Sequence, residues 1–184
     1  MTLRSDVAEL LDAAGILDVD VDEAVADEHV RSSAYRRIVS AAASSRSRER
    51  DRATLATILR DPVEVISKSA VVELVDRVAM EVDGREVFRQ WTAELLPELD
   101  RFKAEGNREF VRCRMHDWLF YLSVKEGHMP TSAELAKATR WMQRTLAEGA
   151  TPSAVLALLA ESGSSRKIRN IARNRAGSRK LRSQ

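Results

Sequence analysis

The sequence predicts an all-α protein, and three observations carry that prediction. Only 7 Gly and 4 Pro punctuate 184 residues, too few turn formers for a chain built of short strands. Apolar residues recur at helical spacing, most regularly where Phe88, Trp91, Leu95, Leu99 and Phe102 follow one another at intervals of 3, 4, 4 and 3. Helix start and stop residues bracket most of the apolar runs. The architecture expected is a helical bundle of about eight helices over residues 1–162, followed by a basic C-terminal helix and partly disordered tail over 163–184.

The elements follow in order. A first helix over Ser5–Ala14 places Val7, Leu10, Leu11 and Ala14 on one face and stops at Gly15. Asp20, with Glu23 at capping-box spacing, opens a second that carries Tyr35, Ile38, Val39 and Ala42. Residues 44–52 are polar and read as exposed, before a short helix with Leu55, Ile58 and Leu59. In Asp61-Pro62-Val63-Glu64, Asp61 suits a helix cap and Pro62 a first helical position, where a missing N–H costs nothing. The helix so opened carries Ile66, Leu74, Val75, Val78 and Val82 and stops at Gly84. Pro97 lies inside the next apolar seam and should break or restart the helix there. Gly106-Asn107 reads as a stop and cap. Trp118-Leu-Phe-Tyr-Leu122 is apolar nearly all round, which suits the central helix of a bundle. Thr131-Ser-Ala-Glu134 is a capping box, followed by Leu135, Met142 and Leu146. Thr151-Pro152 opens an apolar helix, and a last basic helix runs from Arg166 to about Arg175 before a loose tail from Gly177. The predicted core is Ile66, Leu74, Val78, Phe88, Trp91, Leu95, Val111, Met115, Trp118, Leu122, Leu135, Met142 and Leu156.

Composition narrows the class. Hydrophobic residues at 44% exclude wholesale disorder, while 32% charged residues imply a heavily charged surface. Arginine outnumbers lysine 24 to 6, and a GC-rich bacterial coding sequence is the expected source of such a bias. No signal peptide is visible, no apolar run approaches a membrane span, and a lone Cys113 forbids an internal disulfide. A cytoplasmic protein with no membrane partner is expected. The charge is unevenly spread. Residues 1–30 hold nine acids against Arg4, and residues 31–60 hold eight arginines against Glu49 and Asp51. Residues 166–184 carry eight basic groups and no acid. Removing those eight from a chain of net charge +2 leaves the remainder at −6, so a polyanion site belongs at that end.

Catalytic and metal motifs fail on geometry. Asp18-Val-Asp20-Val-Asp22 resembles the start of a calcium loop, but Glu23 stands where that loop needs glycine and His29 where it needs a bidentate glutamate. Cys113, His116 and His128 lack the second pair that a zinc site requires, and Cys113 reads as a small buried residue of the central helix. No phosphate loop or nucleophile elbow is present. No enzyme activity, cofactor or metal is expected.

Two stretches have the outline of a helix-turn-helix. In the first, Arg140 occupies the turn position that favours glycine, so one continuous helix from Ser132 past Leu146 is expected. In the second, a helix over 152–161, the turn Gly163-Ser-Ser and the basic helix fit, although the core position falls on Arg169 with Ile168 one place early.

The function expected is therefore nucleic-acid binding, of duplex DNA above all, by a non-enzymatic regulatory protein. Arg166, Lys167, Arg169, Arg173, Arg175, Arg179, Lys180 and Arg182 would contact phosphates. Ser164 and Ser165 would cap the helix and offer backbone N–H groups to the same anion. Arg31, Arg36 and Arg37 are expected to extend that positive face. The alternative is a helical adaptor whose basic segment docks on an acidic protein surface, its own N-terminal acids or a second copy of the chain.

Overall fold

In the computed structural model, which describes residues 2–45 and 47–182 with side chains as far as Ser178, every regular element is helical. Eleven α-helices and one 3-10 helix occur among the described residues, more than the expected eight. They fall into two units, Met1–Met115 and His116–Gln184. The last basic helix packs within the second, on the two elements that precede it.

The N-terminal unit begins with α1 (Leu3–Ala13), capped reciprocally by Thr2 and Ser5, and ended at Gly15, whose φ of +67° suits a residue without Cβ. The helix expected from Asp20 onward is two helices. Asp20 caps α2 (Val21–Ala26), and Asp27 then adopts an extended backbone that ends it. The Asp27 carboxylate accepts from the N–H groups of His29 and Val30 and so starts α3 (Glu28–Ser44). Ser47 caps α4 (Arg48–Ile58), which takes up much of the stretch expected to be exposed and polar. Its first turn buries Asp51.

Asp61 does not cap a helix. It lies in the core, accepting from Arg31 Nε at 2.8 Å and from Tyr35 Oη at 3.0 Å, while its second oxygen takes the N–H of Val63 at 2.8 Å. The adjoining α5 (Glu64–Glu81) starts without a side-chain cap. It packs along α3, the most extensive helix pairing of this unit. After α6 (Arg85–Leu95), Pro97 restarts the chain as a 3-10 helix over Leu96–Arg101. Gly106 and Asn107 do not stop a helix. They lie in the first turn of α7 (Glu105–Lys125), whose approach is capped from a distance by Glu64, hydrogen-bonded to Ala104 N and Asn107 Nδ2.

The C-terminal unit takes the second half of α7. The expected continuous helix beyond it is broken into α8 (Ser132–Lys137) and α9 (Arg140–Glu148). Ala138 is extended and Thr139 is the cap of α9, held by Asp117 of α7, which accepts from Thr139 N at 3.0 Å and pairs with its hydroxyl. Arg140 is therefore a first helical residue, outside the turn. Thr151 closes α9, donating to Leu146 O, and α10 (Ser153–Ser162) starts behind Pro152 without a side-chain cap. The last helix, α11 (Arg166–Arg182), runs through Gly177 instead of ending near Arg175. One glycine costs a helix only about 1 kcal/mol.

All the predicted core residues are buried. Cys113 is not: its thiol is exposed on α7 and lies 3.4 Å from a carboxylate oxygen of Glu109. Trp118 packs edge-on against Tyr121 and Trp141, with ring centroids 5.2 and 5.7 Å away.

Two substitutions test these cores. Arg31→Met strands the Asp61 carboxylate inside the N-terminal unit and should cost about 3–5 kcal/mol in urea unfolding. Trp118→Ala should cost about 3–5 kcal/mol as an emptied aromatic site. A loss below about 1 kcal/mol in either case means that the residue is not part of a dry core.

Candidate nucleic-acid interface

The interface rests on how α11 meets its neighbours. Ile168 and Ala172 are 2% and 0% exposed and face α10 and α9, so the helix is part of the core. Ile168 fills the core position, one residue ahead of the place the helix-turn-helix register assigns to it. The turn between α10 and α11 is tight. A Cβ on Gly163 would lie 2.6 Å from Leu159 O and 3.0 Å from Ile168 Cγ2.

Gln143, 2% exposed, ties this turn to the α8–α9 corner. Its Nε2 donates to Leu135 O and Ala138 O at 3.0 and 3.1 Å, and its Oε1 accepts from Ser164 N at 2.8 Å. The Ser164 N–H is thereby used within the fold and is not offered to an anion. Ser165 does cap the helix, its Oγ accepting from Ile168 N at 3.2 Å.

The basic side chains divide into two sets. Arg169 donates to Gly163 O at 2.7 Å, Arg173 to Ala160 O at 3.5 Å, and Arg175 to Glu148 O. These carbonyls close α10 and α9, where a guanidinium satisfies unpaired acceptors and opposes the negative end of the helix dipole. The three arginines are therefore partly structural, although a carbonyl does not neutralise their charge. Arg166 and Lys167 form the other set: both are exposed, with no hydrogen bond or ion pair to a described residue. Arg179, Lys180 and Arg182 lie on the helix, but their side chains fall outside those described.

The exposed strip of α11 thus runs through Arg166, Lys167, Asn170, Arg173, Asn174 and Ser178. Asn170, Asn174 and Ser178 escape a reading of the sequence by charge, which passes over neutral donors. Their signal is the 3.6-residue period continued past Arg175. Arg31 does not extend a positive surface: it is 2% exposed and spent on Asp61, Ala24 O and Val25 O. Arg37 is paired with Asp18 at 2.6 Å.

The acidic stretch of α2 has ordinary duties. Asp20 caps the helix, Asp18 holds Arg37, and Asp22 holds Arg4 at 2.7 Å. Among the described residues no group of three or more His, Cys, Asp and Glu side chains is placed to hold a metal ion, and no helix is long and apolar enough to cross a membrane.

Gly163→Ala should destabilise the C-terminal unit by about 1–3 kcal/mol, because the added methyl meets a backbone carbonyl that cannot swing away. Thermal unfolding followed by circular dichroism measures the loss. An unchanged midpoint would mean that the turn opens without cost. Comparisons with known protein families, with curated proteins and with solved structures found no match to this chain.

Proposed function

We propose that the protein binds nucleic acid without catalysing a reaction, and that the exposed strip of α11 is the contact surface for duplex phosphates. The observation that supports this most is the pair Arg166 and Lys167, exposed and unengaged at the start of a helix that carries no acid. The first turn of a helix adds backbone N–H groups and the positive end of the dipole to the same place. Asn170 and Asn174 supply neutral donors and acceptors along the strip, suited to sugar or base edges. The strip has no aromatic residue, so stacking on single-stranded bases is not part of the reading.

Five of the nine acids of the N-terminal segment are engaged inside their own unit, Asp20 and Asp27 as helix caps and three in ion pairs. Asp6 is paired with Arg60, Asp18 with Arg37, and Asp22 with Arg4. That favours an external polyanion over docking of the basic segment on its own N-terminus. The adaptor reading draws on the same charge, with an acidic protein surface in place of phosphate.

Deleting α11 would remove Ile168 and Ala172 from the core, so substitution is the cleaner test. Binding of the full chain to a short DNA duplex should weaken as salt rises, log K falling linearly with log salt. Arg166→Ala with Lys167→Ala should leave the circular dichroism unchanged and lower the slope by about 2, at about 0.9 for each phosphate that is no longer neutralised. The weakening should be alike for all sequences. A slope unaffected by the double substitution sinks this assignment, and no binding at low salt leaves the adaptor ahead.

A further inference from the structure

The N-terminal unit contains a pocket of about 180 Å³ between the ends of α3 and α5 and the faces of α4 and α6. Asp51 lines it, 3% exposed. One of its carboxylate oxygens accepts from Trp91 Nε1 at 2.9 Å; the other, Oδ1, is buried and has no hydrogen-bond partner. A buried carboxylate oxygen without a donor is costly, and native structures rarely keep one without a reason. Burial pushes this carboxyl up to about 6, although the Trp91 N–H and the charge of Arg50 act to lower it.

The rest of the lining has a definite character. Glu81 and Asp83 stand exposed at its edge, and with Asp51 they set three carboxylates against one guanidinium, Arg48. Arg48 itself lies 3.7 Å from Glu94. Val78, Val82, Val87 and the Trp91 ring form an apolar wall. Donors are therefore what the site lacks, and a positive charge is what its field attracts. The carboxylates are not arranged to hold a metal ion, and the apolar wall points to an organic ligand. Size sets the remaining limit: a cavity of about 150 Å³ holds benzene, so this one suits a ring or short chain of about seven or eight non-hydrogen atoms.

We propose that the pocket binds a small organic cation, an ammonium group on a compact apolar body, with Asp51 as its charge partner. An ammonium has three donors and no acceptor. Oδ1 is covered in the unbound protein, so the Asp51 carboxylate turns toward the pocket to accept one of these donors in a charge-assisted hydrogen bond, and the apolar body covers the valines and the Trp91 ring. Glu81 and Asp83 contribute attraction at longer range.

Benzylamine is the probe, titrated into the full chain near neutral pH while the indole N–H signals are followed by NMR. The Trp91 signal is assigned by elimination, using Trp118→Phe and Trp141→Phe. A saturable shift of that signal is expected. Benzyl alcohol, of the same size and with a donor but no charge, and benzoate, of opposite charge, should bind at least about tenfold more weakly, because neither forms an ion pair with Asp51. Asp51→Asn keeps an acceptor for Trp91 Nε1 and should weaken benzylamine by a similar factor. Glu81→Gln should weaken it less. Equal binding of benzylamine and benzyl alcohol would mean that the positive charge is not recognised, and so overturn the proposal. Affinity unchanged in Asp51→Asn, or no shift of the Trp91 signal with any amine, would overturn it as well. The ligand series on the unaltered chain decides the matter even where a variant fails to fold.

Discussion

A guanidinium taken out of water must find partners for its N–H groups, and in the N-terminal unit that requirement organises four elements at once. Arg31 reaches from α3 to the last carbonyls of α2, Ala24 O and Val25 O, and to Asp61 between α4 and α5. The side chains of the pair are 3% and 0% exposed. Asp61 completes the arrangement with Tyr35 Oη and with Val63 N, the residue from which α5 departs. The start of α5 is thereby fixed against α3, its principal packing partner. Burial and the adjacent Asp61 charge push the Tyr35 phenol well above its ordinary range, so it remains a hydrogen-bond donor to the carboxylate. Desolvating two charges cancels much of their attraction, so such a pair adds little net stability over an apolar one of the same shape. What it does fix is direction, since each of its contacts with α2 and with the start of α5 is a hydrogen bond.

The two blocks of opposite charge near the N-terminus are joined in part by ion pairs. Arg60 meets Asp6, Arg37 meets Asp18, Arg52 meets Glu98, and Arg50 donates to Ala13 O at the end of α1. Asp6 and Asp18 are the acids of the first 30 residues that meet arginines of the following block, while Arg31, Arg48 and Arg52 go to Asp61, Glu94 and Glu98 of the same unit. The exposed pairs among these, such as Arg37–Asp18, are worth little singly. α11 has no acid to answer its basic groups, and its partial answer is the backbone: three arginines satisfy carbonyls at the ends of α9 and α10.

How much a sequence reveals depends on the range of the interaction. Capping is local, so Thr131–Glu134, Asp20 and Gly15 mark true boundaries, and the 3.6-residue period picks out the buried apolar residues. Polar residues with distant partners mislead. Asp61 looks like a cap until Arg31, 30 residues earlier, is beside it. Asp51 sits in a charged stretch, and only Trp91, 40 residues later, explains its burial. The break at Thr139 depends on Asp117, 22 residues back, together with Gln143 holding two carbonyls. The candidate interface is legible as charge. Which arginines face water and which close helices is not, because that depends on where α9 and α10 end.

The exposure of Cys113 has a practical side. The chain contains a single thiol, and it lies on the solvent face of α7. Maleimide chemistry can therefore place one fluorophore or spin label on the unaltered protein, without first removing other cysteines. The label would sit two residues before the last residue of the first unit, on the helix that continues into the second. Paired with a second label on α11, it would turn the arrangement of the two units into a measurable distance.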